Sequence, residues 1–133
     1  MRKDAVHRAN ALFSQMMSRY DKGERDLQPD NVAYSNLVNC YVNADPSFEN
    51  FIMIESAEKL FWEMVDQYHN GNDKAAPSTR NFNTILAALS KSNSEAAAVH
   101  ASKIIHKWEA LVKNGNVTAQ PDAYSYSLWL KCW

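Results

Sequence analysis

Residues 57–89 read AEKLFWEMVDQYHNGNDKAAPSTRNFNTILAAL, and their landmarks recur twice more along the chain. The octet Ala57 to Met64 fits A-x-x-[LI]-[FI]-x-x-[MW], as do Ala9 to Met16 and Ala101 to Trp108. Gly71 follows Met64 by seven residues, Pro77 follows Gly71 by six, and Phe82 follows Pro77 by five. The same spacings lead from Met16 to Gly23, Pro29 and Tyr34, and from Trp108 to Gly115, Pro121 and Tyr126. Those three glycines are the only ones in the chain, and the three prolines stand 48 and then 44 residues apart. Self-similarity at such a period marks stacked supersecondary units, each unable to bury its apolar face alone.

Two helices per unit follow from local patterning. Tyr34 to Tyr41, Phe82 to Leu89 and Tyr126 to Trp133 place apolar residues at offsets of three, four and seven, the stripe of an amphipathic helix. These are the A helices, and Asp30, Ser78 and Asp122 stand before them as N-cap residues. The octets form B helices: Ala57, Leu60, Phe61, Met64, Val65 and Tyr68 share one face, as do Ala97, Ala101, Ile104, Ile105, Trp108, Leu111 and Val112. Asp45-Pro46 offers a cap and a first-turn proline for one B helix. Ser92-x-x-Glu95 offers a capping box for the next. Each glycine supplies the left-handed residue that closes a B helix. The expected fold is all-α. Residues 1–30 hold a B helix, 31–78 and 79–122 two complete A–B pairs, and 123–133 a last A helix. The unmatched first and last helices are expected to belong to a longer array, with Trp129 and Trp133 uncovered.

Bulk composition narrows the function classes. The chain has 133 residues, 46% hydrophobic and 22% charged, enough for a substantial core. A net charge of -1 points to no strongly polyanionic or polycationic partner. No apolar run approaches the roughly 18 residues of a membrane span, so no membrane partner is expected. The N-terminal MRKDAVHRAN has no apolar core and reads as no targeting segment. Cys40 and Cys132 both lie six residues after a landmark aromatic, where the middle unit has Ala88. A small packing residue suits that slot better than a disulfide or metal ligand.

Catalytic constellations are absent from the pattern. His7, His69, His100 and His106 have no cysteine or second histidine at ligand spacing, and acidic pairs such as Glu55 with Glu58 read as solvated charge. Isolated glycines make no phosphate loop. The expectation is a non-enzymatic chain with no catalytic residue, no metal and no cofactor.

The landmarks resemble the pentatricopeptide repeat (PPR) family. Pro29-Asp30 leads to Tyr34-Ser35-Asn36-Leu37-Val38, and the octet ending at Met64 matches the family's A-x-x-L-F-x-x-M. Pro121-Asp122 leads in the same way to Tyr126-Ser127-Leu128-Trp129-Leu130. The units here are longer than the family's, with added residues between Met and Gly, between Gly and Pro, and around Phe48 to Phe51. The resemblance covers the whole chain. It implies a right-handed α-solenoid of antiparallel helical hairpins whose A helices line the concave face. It also implies single-stranded RNA as partner, read about one base per repeat by two or three side chains, and a mitochondrial or plastid setting.

Carried residue by residue, the resemblance nominates Ser35, Asn83 and Ser127 as principal base readers, with Asp30, Ser78 and Asp122 as the second readers. Asn83 with Asp122 matches a uracil-preferring combination. Val32, Arg80 and Tyr124 take the base-stacking position, and Lys91 the phosphate contact. Each has a plainer alternative: helix capping for Asp30, Ser78 and Asp122, and solvated first-turn residues for Ser35, Asn83 and Ser127. Two other functions compete, a protein-interaction scaffold taking a peptide along the concave face, and the substrate-binding arm of a protein-only RNase P.

Overall fold

The structure is a computed structural model and describes residues 3–44, 51–92 and 94–133. The described residues form α1 (Lys3–Asp21), α2 (Asn31–Val42), α3 (Phe51–His69), α4 (Thr79–Ser92), α5 (Glu95–Lys113) and α6 (Ala123–Cys132), with no strand among them. The fold is all-α, with α1, α3 and α5 as the B helices and α2, α4 and α6 as the A helices. Every B helix runs 19 residues, long enough to hold the seven-residue separation of Met64 from Gly71.

The B helices end alike. Gly23, Gly71 and Gly115 adopt φ of 112°, 106° and 74°. In each case the glycine N–H bonds back three residues and the following N–H bonds back five, as in Asn72 N to Gln67 O at 2.9 Å. That is the Schellman closure expected from the sequence. A Cβ at any of the three glycines would meet nothing within 4 Å, so the backbone dihedral imposes glycine, not lack of space.

One cap differs from expectation. Ser92 closes α4 and does not open α5; Ser94 is the N-cap, its Oγ accepting from Ala97 N at 3.1 Å, and Glu95 is the first helical residue. α4 runs on through Ser92, so the nearer serine is left to satisfy the free N–H groups of α5. The Asp45-Pro46 cap lies outside the described residues.

Consecutive helices pack against each other along the chain, and the A helices also touch in succession, α2 with α4 and α4 with α6. The core is built from the landmarks. Phe82 of α4 stacks on Trp108 of α5, with centroids 3.9 Å apart and planes 3° apart. It also meets Phe61 of α3 in an edge-to-face arrangement with centroids 4.5 Å apart. Tyr34 of α2 likewise meets Phe13 of α1 edge-on at 5.0 Å. Each such aromatic pair contributes about 0.5–1.5 kcal/mol beyond area burial. Burial, with Glu63 nearby adding to it, pushes the Tyr34 phenol up to about 12. The Trp108 indole N–H donates to Ala119 O at 2.8 Å, so this fully buried ring keeps its polar atom satisfied.

Loops tie neighbouring units together. Asn72 Nδ2 donates to Pro29 O at 2.7 Å and Thr79 Oγ1 to Gln120 O at 2.9 Å. The cysteines are free thiols. Cys132 bonds Leu128 O at 3.3 Å, and burial raises its thiol, in keeping with a packing role.

Equivalent positions have different cover. Ala57 and Ala101 are fully buried, whereas Ala9 is half-buried and Leu12 is 67% exposed. Val38 and Leu86 are buried, whereas their counterpart Leu130 is 76% exposed. Trp133 is exposed as expected, but Trp129 is not. Trp129 lies half-buried on α5, its indole N–H donating to Ser102 Oγ at 2.7 Å with His106 edge-on to its ring.

Ala57→Leu should overpack the α3 contacts and destabilise the chain by about 1–3 kcal/mol, read as a lowered urea midpoint at unchanged slope. Exposed Leu12, Leu130 and Trp133 should make the chain self-associate at high concentration. In light scattering, Leu130→Glu should shift the population towards monomer without lowering the melting temperature.

Candidate nucleic-acid interface

The N-termini of α2, α4 and α6 gather most of the nominated residues, and capping fixes their backbones. Asp30 Oδ1 accepts from Ala33 N at 2.9 Å. Ser78 Oγ accepts from Asn81 N at 3.3 Å, while Asn81 Oδ1 accepts from Ser78 N at 2.8 Å. Asp122 Oδ1 accepts from Ser125 N at 2.9 Å, and Ser125 Oγ accepts from Asp122 N at 3.1 Å. Asp30, Ser78 and Asp122 are therefore N-caps, as the plainer reading requires. The Ser125 backbone N–H, then its hydroxyl, and more weakly the Asn83 amide, hold the Asp122 carboxyl below its usual range.

Ser35 and Asn83, nominated as base readers, are not solvated first-turn residues. Ser35 Oγ accepts from Asn81 Nδ2 of the next A helix at 2.7 Å and donates to Asn31 Oδ1 at 3.1 Å. Asn83 is buried; its Oδ1 accepts from Ser125 Oγ at 2.6 Å and its Nδ2 faces Asp122 Oδ1 at 3.4 Å. Ser127 differs from both: it is exposed, and its hydroxyl bonds Ala123 O one turn back at 2.9 Å.

Between α2 and α4 lies a groove of about 420 Å³. Val32, Ser35, Ser78 and Arg80 line it together with Asn31, Asn36, Asn39 and Asn81, over a floor that includes Phe61 and Met64. Val32 is 63% exposed, so its apolar face is open to a flat ring. Asn83 and Asp122 meet outside that groove, at the α4–α6 joint, next to exposed Tyr124. Asp30 and Ser127 lie at the outer A helices, and Lys91 is exposed in the last turn of α4, away from the groove.

Two features escape a reading of the sequence by landmarks. One is the residue before each A-helix aromatic: Asn81 and Ser125 bridge cap and reader, and Asn31 joins them by donating to Asn81 Oδ1 at 2.7 Å. The signal was there, since that slot holds Ala33, Asn81 and Ser125. The other is charge placement. α2, α4 and α6 carry Arg80, Lys91 and Lys131 and no carboxylate, whereas α3 carries Glu55, Glu58, Glu63 and Asp66 against Lys59. The overall -1 hides that segregation.

The B helices hold a different polar cluster. Glu58 pairs with His100 and accepts from the Trp62 indole N–H at 2.8 Å, with Lys107 over the Trp62 ring at 4.0 Å. Among the described residues no three His, Cys, Asp or Glu side chains form a group that could hold a metal ion, and no helix is long and apolar enough to cross a membrane.

Because the folded-state pKa of Asp122 lies below its unfolded value, its contribution to stability is present above the ordinary carboxylate range. It is lost as pH falls through the lowered value. An NMR titration of the Asp122 carboxyl should have its midpoint below about 3.9. Ser125→Ala, which removes the hydroxyl and keeps the backbone donor, should move that midpoint part of the way back up.

No family model, no curated protein and no solved structure matches the chain.

Proposed function

We propose that the chain binds single-stranded RNA with sequence preference, through the A-helix face of a right-handed α-solenoid of PPR-type hairpins. The observation that carries this reading is the convergence of Val32, Ser35, Ser78 and Arg80 on one groove. Those are the residues that the PPR resemblance nominates for one joint, two to stack and two to read. In this reading a base enters between Val32 and Arg80, whose aliphatic and guanidinium faces stack on it, while Ser35 and Ser78 reach its Watson–Crick edge. At the next joint Asn83, braced by Asp122, takes uracil. Arg80, Lys91 and Lys131 attract the phosphate backbone, opposed in part by the capping carboxylates of Asp30 and Asp122. No bond is made or broken, and the proposed setting is mitochondrial or plastid RNA metabolism.

Magnitudes set the scale of the test. Stacking supplies about 1–3 kcal/mol per base, so two joints give about 2–6 kcal/mol against an association cost of about 4–15 kcal/mol. A short oligonucleotide should therefore bind this chain no tighter than the millimolar range, about 4 kcal/mol. Titrations at low salt should find Asn83→Thr moving the preference at one nucleotide from uracil towards guanine while the fold persists. Lys91→Ala should weaken all sequences alike and flatten the salt slope by about 1. Unchanged preference in Asn83→Thr would remove that residue as a reader, and a peptide along the same groove would become the better account.

A further inference from the structure

We infer that the residue preceding the A-helix aromatic, Asn81 at one joint and Ser125 at the next, is a positioning residue that sets the hydrogen-bond polarity each joint presents to a base. The inference rests on the RNA reading proposed above and adds a residue to the two that the repeat pattern nominates.

At the first joint the polarity runs from groups that cannot change role. Ser78 N can only donate, and Asn81 Oδ1 accepts from it at 2.8 Å. The Asn81 amide is thereby oriented with Nδ2 towards Ser35, to whose Oγ it donates at 2.7 Å. The Ser35 proton then goes to Asn31 Oδ1 at 3.1 Å. Asn31 is oriented in turn by donating to Ala76 O, a fixed acceptor, at 2.9 Å. With its proton and one lone pair committed, Ser35 offers a base one thing, a second lone pair. The first joint presents an acceptor.

At the second joint the sizes are exchanged, with a long reader facing a short bridge. Asp122 N donates to Ser125 Oγ at 3.1 Å, so the Ser125 proton points onward, 2.6 Å from Asn83 Oδ1 and 2.9 Å from Asp122 Oδ1. Asn83 is thus held with its oxygen towards Ser125 and its nitrogen towards the Asp122 carboxylate, 3.4 Å away. Its second amide hydrogen remains, and the joint presents a donor. Such orientations follow from the whole network rather than from the reader alone. Ser125 is fully buried and acts only through Asn83, whereas Asn81 lines the groove beside Ser35 with about the same small exposure as Asn83.

The test transplants one joint onto the other. Asn83→Ser with Asp122→Ser copies the two reading residues of the first joint; adding Ser125→Asn copies the bridge as well. Titrated with short oligonucleotides differing at one nucleotide, the triple variant should adopt the preference of the first joint. The double variant, whose new hydroxyl lacks an oriented donor, should discriminate about 2- to 10-fold less, the worth of one net hydrogen bond. Ser125→Ala, a gentler change, should cut discrimination by wild-type Asn83 similarly, while circular dichroism reports a folded chain. Equal preference and equal discrimination in the double and triple variants would overturn the inference, as would full discrimination in Ser125→Ala. Wild-type chain that binds oligonucleotides without any base preference would overturn the RNA reading, and this inference with it.

Discussion

Phe82, stacked on Trp108 and meeting Phe61 edge-to-face, is the contact on which the rest depends. It fixes the spacing of two successive B helices and the rotation of α4 about its own axis. Successive residues on a helix are turned by about 100°, so pointing Phe82 into the core sends Asn81 to one flank and Asn83 to the other. Asn81 accordingly bonds α2 and Asn83 bonds α6. A single buried ring thus places both polar joints. Tyr34 does the same work more weakly against Phe13, and Tyr126, 38% exposed, donates its hydroxyl to Glu109 of α5 at 2.8 Å.

Much of the helical framework was legible because it is written in local chemistry. A left-handed residue is required where a helix closes, and glycine is the residue that takes it freely. Asp30, Ser78 and Asp122 were legible as caps for the same reason: their partners lie three residues away. The Ser92 capping box failed because two serines competed for one helix start and only the reach of α4 decided between them. Trp129 was misjudged because its cover comes from Ser102 and His106, 27 and 23 residues back. Nor could spacing reveal that Ser35 and Asn83 are tied across units. That depends on how far one hairpin is rotated against the next, and periodicity does not encode such a rotation.

The observed capping of the A-helix starts does not compete with the base-reading role proposed for them. A cap must hold its side chain against the first turn, which is also the condition for a short polar group to meet a base in one orientation. An N-cap aspartate with a depressed pKa, such as Asp122, stays charged and keeps the neighbouring Asn83 amide turned one way. Arg80, Lys91 and Lys131 lie within α4 and α6, with the Asp30 and Asp122 carboxylates capping α2 and α6, while α3, whose carboxylates flank the Trp62–His100 cluster, carries four acids against one lysine.

The most direct test is to watch the joints themselves. In 15N-labelled chain, the side-chain amide signals of Asn81 and Asn83 report on the two polar bridges, and backbone signals map the rest of the surface. Millimolar addition of a short uracil-containing single strand should shift the Asn83 side chain together with Val32, Ser35 and Arg80, leaving α1 and the Glu58–His100 cluster unmoved. Shifts confined to the B helices, or none at saturating strand, would contradict the account.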